Sequence, residues 1–380
     1  MANLKKYKIE KLIKFSNPDH FIYDDNNFKT STESTGTLDI DDLLNKNIYP
    51  FYFDFKNKEI IFVETKKDTP HTDTPWLFRL LQTESEYIIP VPFIEIKKLC
   101  SGSEFKDSNV LFIHHSRRCG STLLHKILGS HPNVESFSED LIIDNLIWQM
   151  NTKKVGLSEI KSIYSDILEL FRMKWGDRDK SIISLKMSSY SHYFISSIFK
   201  MFPDSNHIYL TRNPVDIAIS LENFAQSRGG FRNPCIKRKL LGYSDLDYIH
   251  HDMIENKGYG RYIYKYITPH LKAVLGPMDI IERSILRVIL FDNYYNSIKY
   301  KKMLYLTYNE LMNKEEIFKT LGAFLQLEEK SFKSEIYNKH SQTGKRYISA
   351  NTKYFYLTNK QKKKYSLFAE RVKIILNSLE

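Results

Sequence analysis

Cysteine is scarce in this chain: Cys100, Cys119 and Cys235 are its three cysteines among 380 residues. An odd number at these spacings supports neither a disulfide framework nor a zinc site, and it agrees with a reducing compartment. Long apolar runs are missing too, since no stretch approaches the roughly 20 apolar residues that a membrane-spanning helix needs. Residues 1–8 lack the apolar core and cleavage site of a secretory signal. We therefore expect a cytoplasmic protein without a membrane span.

Positive charge exceeds negative charge in the chain. Lys and Arg total 56 against 45 Asp and Glu, which gives a formal net charge of +11. Such a surplus attracts polyanions or an anionic cofactor. The basic residues are dispersed, however, and the one dense run, at 360–364, is typical of a solvated face or a favourable helix end rather than of a nucleic-acid site. We therefore expect no nucleic-acid partner.

The chain divides into two regions of different pattern. Residues 1–105 contain a hairpin pattern, at 51–55 and 59–63, and no phosphate-binding or catalytic pattern. From Val110 onward, short apolar strands alternate with helical patterns. This alternation predicts an α/β fold with three layers, a parallel sheet with helices on both faces, of the P-loop nucleotide-binding type. We expect a small N-terminal α+β accessory region at 1–105 and the P-loop domain at 106–380.

The stretch 110–124 is the most informative in the chain. An apolar run at 110–113 predicts a strand buried on both faces. A polar loop at 114–120 follows, and apolar residues at helical spacing then predict a helix that Gly129 ends in a left-handed conformation. Later strands are predicted at 182–185, 207–210 and 303–306, and ligands of such sheets collect at the carboxyl ends of the strands. The loop at 114–120 therefore predicts the position of the site.

This loop carries groups that suit a phosphate. The first turn of the helix leaves backbone N–H groups unpaired, Ser121 and Thr122 add hydroxyls, and Arg117 and Arg118 add guanidinium groups. The nucleotide-triphosphatase loop has its first glycine where this chain has His115, and its lysine where this chain has Ser121. The usual groups for a triphosphate and magnesium are therefore missing, which weakens an ATPase or kinase interpretation. We expect no metal.

A second helix start follows the strand at 207–210. Asn213 suits an N-cap, Pro214 suits the first helical position, and Asp216 suits the first turn. Arg212 stands at the strand end, and Ser220 lies eight positions later, two turns inside the helix. The two side chains can meet one anion only along the flank of this helix.

Both segments resemble motifs of sulfotransferases that use 3'-phosphoadenosine-5'-phosphosulfate (PAPS), most closely the tyrosylprotein, carbohydrate and bacterial enzymes. Residues 118–122, followed by two leucines, resemble the 5'-phosphosulfate loop, while Arg212 and Ser220 match the 3'-phosphate motif in identity and spacing. The resemblance extends from about 109 to 346 and implies that PAPS is bound, and 3',5'-bisphosphoadenosine released, without a metal. The implied cofactor-binding residues are Arg117, Arg118, Cys119, Gly120, Ser121, Thr122, Arg212 and Ser220, with Lys345 and Arg346 as further donors.

The resemblance also implies the chemistry, which is sulfuryl transfer to a hydroxyl or amine of a small-molecule, carbohydrate or peptide acceptor. Arg118 takes the cationic position next to the bridging oxygen, Lys186 assists the sulfuryl oxygens, and Glu139, 21 residues after Arg118, is the general base. Alternatively, Glu139 merely caps a following helix at 141–148, and Lys186 merely caps its strand end. His114 and His115 are other candidate bases, although histidines at the end of a buried strand are more often packed and hydrogen-bonded.

Two other functions stay open at this point. One is a P-loop kinase of small molecules or nucleosides, and the other is a non-catalytic nucleotide-binding protein. Binding of 3',5'-bisphosphoadenosine without binding of ATP separates the first from a sulfotransferase. The segments at 150–180 and 225–280, which we expect to form the acceptor pocket, carry no pattern that selects an acceptor.

Overall fold

The computed structural model describes residues 3–12, 28–66, 77–102, 106–139, 142, 155–175, 182–188, 195–227, 274–276, 278–298, 300–338 and 357–378. The strands of the N-terminal part are β1 (Asn3–Leu12), β2 (Phe28–Thr30), β3 (Gly36–Asp39), β4 (Ile48–Asp54), β5 (Glu59–Thr65) and β6 (Ser85–Pro92). The later strands are β7 (Val110–His115), β8 (Val134–Ser138), β9 (Ile182–Lys186), β10 (Asn206–Thr211) and β11 (Met303–Thr307).

The helices connect and cover these strands. They are α1 (Leu77–Glu84), α2 (Phe93–Leu99), α3 (Ser121–Gly129), α4 (Leu157–Trp175), α5 (Ile195–Met201), α6 (Pro214–Ser227), α7 (Ile280–Ser297), α8 (Tyr308–Met312), α9 (Lys314–Leu325) and α10 (Asn359–Asn377). In the part of the chain that the structure describes, none of them combines the length and apolar character that crossing a membrane requires.

The N-terminal strands form an antiparallel sheet in the order β2-β1-β6-β5-β4, with β3 also paired to β1. The predicted hairpin is confirmed as β4 and β5, where Asp54 faces Glu59 across the turn. Asp54 Oδ1 accepts the backbone N–H groups of Lys56 at 3.0 Å and Asn57 at 3.1 Å. These bonds close the turn because a short carboxylate can satisfy the donors of the next residues.

The later strands form a parallel sheet in the order β11-β10-β7-β9-β8. Four of its strands are those predicted from apolar runs. The fifth, β8, was not predicted, because its sequence Val-Glu-Ser-Phe-Ser is mostly polar. The strand lies at the sheet edge but is largely buried, and its serines are tolerated there because each has a hydrogen-bond partner: Ser136 Oγ lies 2.7 Å from His125 Nδ1, and Ser138 Oγ accepts from Lys186 Nζ.

Alternate residues of the central strand β7 enter two different hydrophobic cores. Leu111 and Ile113 pack with residues of α3, α8 and α9. Val110 and Phe112 pack with residues of α4, α5, α7 and the N-terminal sheet. Successive side chains of a strand point to opposite faces, so the parallel sheet is covered on both sides. The predicted three-layer α/β fold is confirmed.

The prediction that Gly129 ends α3 in a left-handed conformation is wrong. Gly129 lies within α3, and the cap is Ser130 at φ −81°, whose N–H donates to Ile127 O and Leu128 O without a left-handed residue. The lysine run at 360–364 is exposed at the start of α10, which agrees with the expected solvated face and not with a cluster at the C-terminal end of a helix. There Lys364 pairs with Asp279 at 3.0 Å and Glu282 at 3.1 Å. Partners on α7 and its cap thus replace the expected interaction with the helix dipole.

The N-terminal sheet packs against α4. Lys174 Nζ donates to Leu43 O at 3.2 Å and to Ile48 O, and the rings of Tyr49 and Trp175 stack with centroids 5.5 Å apart. One hydrophobic core therefore includes residues from both sides of position 105. The predicted domain boundary at 105/106 stays a prediction.

Candidate functional site

The carboxyl ends of the parallel strands bring the candidate residues to one edge of the sheet. The phosphate loop follows β7, Glu139 follows β8, Arg212 follows β10, and Lys186 is the last residue of β9. Parallel strands end at the same edge, where a doubly covered sheet binds its ligands. This edge is therefore the candidate site.

The loop between β7 and α3 has an unusual backbone. Arg117 at φ 64°, Arg118 at φ 48° and Gly120 at φ 95° all lie in the left-handed region. Such a conformation costs a non-glycine residue about 1–3 kcal/mol and is kept where the surroundings enforce it. Backbone N–H groups in such turns form concave anion sites. Together with the start of α3 at Ser121, this loop has a backbone geometry that suits the predicted phosphate cradle.

The side chain of His115 holds the backbone of this loop through hydrogen bonds. Its Nδ1 accepts the N–H of Arg117 at 3.2 Å, and its Nε2 lies 3.0 Å from Met187 O, to which it must donate because a carbonyl only accepts. Burial, and then the charge of Lys186, hold the pKa of His115 well below its ordinary value. Both ring nitrogens are engaged in the fold, so this histidine is poorly placed to be the base.

His114 is buried as well. Its Nε2 forms a 3.0 Å hydrogen bond with His207 Nδ1, and the two rings stack with centroids 5.3 Å apart. Burial lowers the pKa of His114 to about 3. We therefore assign His114 to the core rather than to the chemistry.

The residues just before α3 and in its first turn differ in which of their groups can reach a ligand. Cys119 Sγ donates to Leu210 O at 3.2 Å, and burial raises the pKa of this thiol to about 12. The Cys119 side chain is thus turned inward, which leaves its backbone for a ligand. Thr122 Oγ1 accepts from Lys186 Nζ at 3.2 Å. Ser121, at the first position of the helix, is also buried.

Glu139 and Lys186 form an ion pair at the ends of β8 and β9. Lys186 Nζ lies 2.8 Å from Glu139 Oε1 and also donates to Ser138 Oγ at 3.2 Å. The Lys186 side chain is 2% exposed and that of Glu139 is 18% exposed. Glu139 has φ 51°, and its N–H donates to Lys186 O at 2.8 Å. The lysine therefore fixes a carboxylate that still reaches solvent.

Two alternative roles, Lys186 as a strand cap and Glu139 as a helix cap, can be compared with the structure. Lys186 does more than cap its strand, since its ammonium group contacts Thr122, Ser138 and Glu139. The helix that Glu139 was alternatively expected to cap falls at 141–148, where residue 142 alone is described. Lys345 and Arg346 also lie outside the described residues.

The second motif has the predicted helix start. Asn213 Oδ1 accepts the N–H groups of Val215 at 2.9 Å and Asp216 at 3.4 Å, and Pro214 is the first residue of α6. Arg212 Nε lies 3.6 Å from Asp216 Oδ2. This Nε is buried and makes no hydrogen bond with the described residues. A buried guanidinium donor without an acceptor is costly, so Arg212 is suited to an anion.

A direct contact joins the two motifs. Arg118 Nε donates to Ser220 Oγ at 3.0 Å across 102 positions of sequence. Ser220 therefore meets the arginine of the phosphate loop, and the two predicted anion sites adjoin on the same edge of the sheet. A ligand with two separated phosphate groups has cationic side chains for both ends.

Tyr308 is a site residue that we did not single out from the sequence. The centroid of its ring lies 4.4 Å from Arg212 Cζ, a cation–π distance. The same ring borders Gly120, where an added Cβ would be 3.0 Å from Tyr308 Cδ2. Tyr308 thus lies between the two motifs. It directly follows β11, so the rule that placed Arg212 after β10 would also have found it.

No metal site is evident in the part of the chain that is described, where no three His, Cys, Asp or Glu residues are grouped to hold an ion. The positive groups of the site are side chains. They are Arg117, Arg118, Lys186 and Arg212.

Comparison with known proteins gives a match for the segment that contains both motifs. Residues 111–254, which contain both motifs, match the model of the sulfotransferase family. This match spans less than half of the chain, and it shows that the segment with both motifs is similar to sulfotransferases. No curated protein matches the chain significantly by sequence.

Solved sulfotransferase structures resemble the chain distantly. One from Mycobacterium avium has 13% identity and a TM-score of 0.43, and the match covers 80% of this chain and 81% of that chain. Another, from Alicyclobacillus acidocaldarius, has 12% identity and a TM-score of 0.37, and the match covers 72% of this chain and 95% of that chain. These TM-scores are low, so the similarity to sulfotransferases depends on the sequence match.

Proposed function

We propose that the protein transfers a sulfuryl group from PAPS to a hydroxyl or amine of a small-molecule, carbohydrate or peptide acceptor. The observation that carries this proposal is the 3.0 Å contact between Arg118 and Ser220, which brings the two phosphate motifs together. A triphosphate site needs a single continuous cradle with a lysine and a magnesium ligand. Two adjoining cationic sites favour a nucleotide that is phosphorylated at both its 3' and 5' positions.

The residues present fit such a nucleotide. The loop at 118–120 and the start of α3 offer N–H groups and hydroxyls for the 5' end. Arg212, with its buried and unbonded Nε, offers a charged donor for the 3'-phosphate. When bound there, PAPS supplies the activated sulfuryl group.

Glu139 takes the proton of the acceptor in this proposal. Its carboxylate is partly exposed and is held 2.8 Å from the ammonium group of Lys186. Arg118 and Lys186 offset the negative charge that develops on the transferred group and the leaving phosphate, because fixed charges need no reorganisation during reaction. Positioning and electrostatics thus come from the same few side chains.

Calorimetry with 3',5'-bisphosphoadenosine tests the cofactor assignment. We expect the wild-type protein to bind this nucleotide and not ATP. Arg212→Ala should weaken binding by roughly 10- to 100-fold, because a charged hydrogen bond contributes about 1.5–3 kcal/mol. The matched control is Arg371→Ala, since Arg371 on α10 donates to Val274 O and lies outside the candidate site. Its affinity should equal that of the wild type.

Two results would contradict the proposal. Binding of ATP in preference to the bisphosphate would favour the kinase alternative. Binding of the bisphosphate with no transfer from radiolabelled PAPS to any of a panel of phenols, sugars, amines and tyrosine peptides would favour a non-catalytic nucleotide-binding protein.

A further inference from the structure

A carboxylate on α7 is connected to the end of β10. Asp292 Oδ1 accepts the hydroxyl of Tyr209 at 2.6 Å and that of Thr211 at 2.8 Å. Thr211 is the last residue of β10 and directly precedes Arg212. Burial raises the pKa of Asp292 to about 6, so this acceptor is mostly ionised at pH 7.5.

The same threonine also contacts the phosphate loop. Ser116 Oγ donates to Thr211 Oγ1 at 3.3 Å, and the N–H of Ser116 donates to Leu210 O at 3.2 Å. Ser116 directly precedes Arg117, the first left-handed residue of the loop. Thr211 therefore lies between the first phosphate motif and the second, and Asp292 lies behind it.

The direction of these hydrogen bonds depends on the carboxylate. A hydroxyl has one hydrogen to donate, while an ionised carboxylate only accepts. Because the hydroxyl of Thr211 donates its one hydrogen to Asp292, its oxygen can only accept, and it accepts from Ser116. A chain of donors then runs from the loop to α7, and each member has a fixed orientation. Without the charge at position 292 these hydrogen bonds weaken, and without an acceptor there the hydroxyl of Thr211 is free to rotate.

We propose that Asp292 is a positioning residue that fixes the spacing between the two phosphate sites through Thr211 and Ser116. This inference rests on the proposed function, because it concerns a ligand that bridges both sites. Asp292 acts through other residues in this proposal and touches no reacting atom. Its loss should therefore weaken ligands with both phosphates more than ligands with one.

The experiment measures the affinities of three nucleotides: 3',5'-bisphosphoadenosine, adenosine 5'-phosphate and adenosine 3'-phosphate. The variants are Asp292→Asn, which keeps the size and one accepting oxygen but removes the negative charge, and Thr211→Val, which keeps the shape but has no hydroxyl. We expect each to weaken bisphosphate binding about tenfold, as for the loss of one hydrogen bond in a charged network. The single-phosphate nucleotides should change less than twofold.

The double variant of Asp292→Asn and Thr211→Val tests whether the two residues act through the same hydrogen-bond network. The double variant should bind the bisphosphate as weakly as either single variant, because both changes break the same connection. The KM for PAPS should rise about tenfold, with kcat changed less than threefold. The matched control is Glu282→Gln, since Glu282 on α7 bonds the helix cap at Asp279 and Lys364. It should lower the melting temperature without changing any of the three affinities.

The outcomes separate this inference from the proposed function. A wild-type protein that binds none of the three nucleotides overturns both. A wild-type protein that binds the bisphosphate tightly, with unchanged affinity in Asp292→Asn and Thr211→Val, overturns the inference alone. Equal weakening of all three nucleotides also overturns it, because a merely structural role of Asp292 has that effect. Should Asp292→Asn not fold, Thr211→Val decides by the same criteria.

Discussion

The proposed role of Glu139 as the base makes two demands on its side chain. It must stay close enough to Lys186 to be held, at 2.8 Å, and it must stay exposed enough to meet an acceptor, at 18%. Its positive φ of 51° is compatible with both requirements. The backbone turns at the end of β8, while the N–H of Glu139 still donates to Lys186 O on β9. The sequence identified Glu139 as a candidate base, but it did not identify Lys186 as the partner of Glu139.

Replacing Glu139 by glutamine should lower kcat at least 100-fold while bisphosphate binding stays within threefold of the wild type. A positioned general base contributes about 10²- to 10⁴-fold, and the amide keeps the size of the side chain but cannot take a proton. Steady-state rates and calorimetry check both parts. The control is Glu135→Gln on the same strand, which should keep full activity. Retained activity in Glu139→Gln would show that another group is the base.

At the scale of the elements, the loop between β7 and α3 has little conformational tolerance at Gly120. Gly120 combines φ 95° with the rings and side chains of α8 close by, since an added Cβ would be 2.8 Å from Leu311 Cδ2. The left-handed φ would strain any other residue, and the short contact would push Tyr308 away from Arg212. The geometry of the loop and that of the second motif are therefore coupled.

The Gly120→Ala variant should lose about 2–4 kcal/mol of unfolding free energy and bind the bisphosphate at least tenfold more weakly, because backbone strain and overpacking add. Urea denaturation and calorimetry check these effects. Gly102→Ala is a close control, because Gly102 has φ 93° but no atom within 4 Å of an added Cβ. This variant should lose only about 1 kcal/mol of unfolding free energy, because of backbone strain alone, and should keep its affinity for the bisphosphate. Equal losses in both variants would refute the role of the contact with α8.

Element by element, apolar runs predicted four strands of the parallel sheet, and glycine, asparagine and proline placed the phosphate loop and α6. The prediction failed where neighbours decided the outcome. Strand β8 is recognisable only once β9 is beside it, and α3 continues through Gly129 because Ser130 caps it. Intrinsic preference is weak compared with such tertiary contacts.

At the scale of the whole molecule, neutral histidines are built into the core. His114 and His207 are buried against each other, and burial is the main reason that the pKa of each is depressed. The unfolded chain takes up protons below the ordinary pKa of about 6.5, whereas the folded chain does not. The stability that depends on neutral histidine is therefore complete above pH 6.5 and is lost as the pH falls toward 3.

We expect His114→Gln to be less stable than the wild type at pH 7.5 but to lose about 1 kcal/mol less between pH 7.5 and pH 5.5. This difference follows from one histidine that no longer titrates, at about 1.4 kcal/mol per pH unit below its unfolded pKa. Denaturation in urea at both pH values measures it. The control is Phe112→Leu, which weakens the same core without changing proton uptake and should lose equal stability at both. A parallel pH dependence of His114→Gln and the wild type would contradict this account.

The sequence by itself determined the alternation of strands and helices, the phosphate loop, and the identity and spacing of Arg118, Glu139, Arg212 and Ser220. These are local properties, because hydrophobic period and turn chemistry act over a few residues. The tertiary structure alone decided which of these residues meet. Arg118 bonds Ser220, Lys186 holds Glu139, Tyr308 lies beside Arg212, and Asp292 reaches Thr211. Such pairs depend on strand order and register, which bring together positions that are many residues apart in the chain.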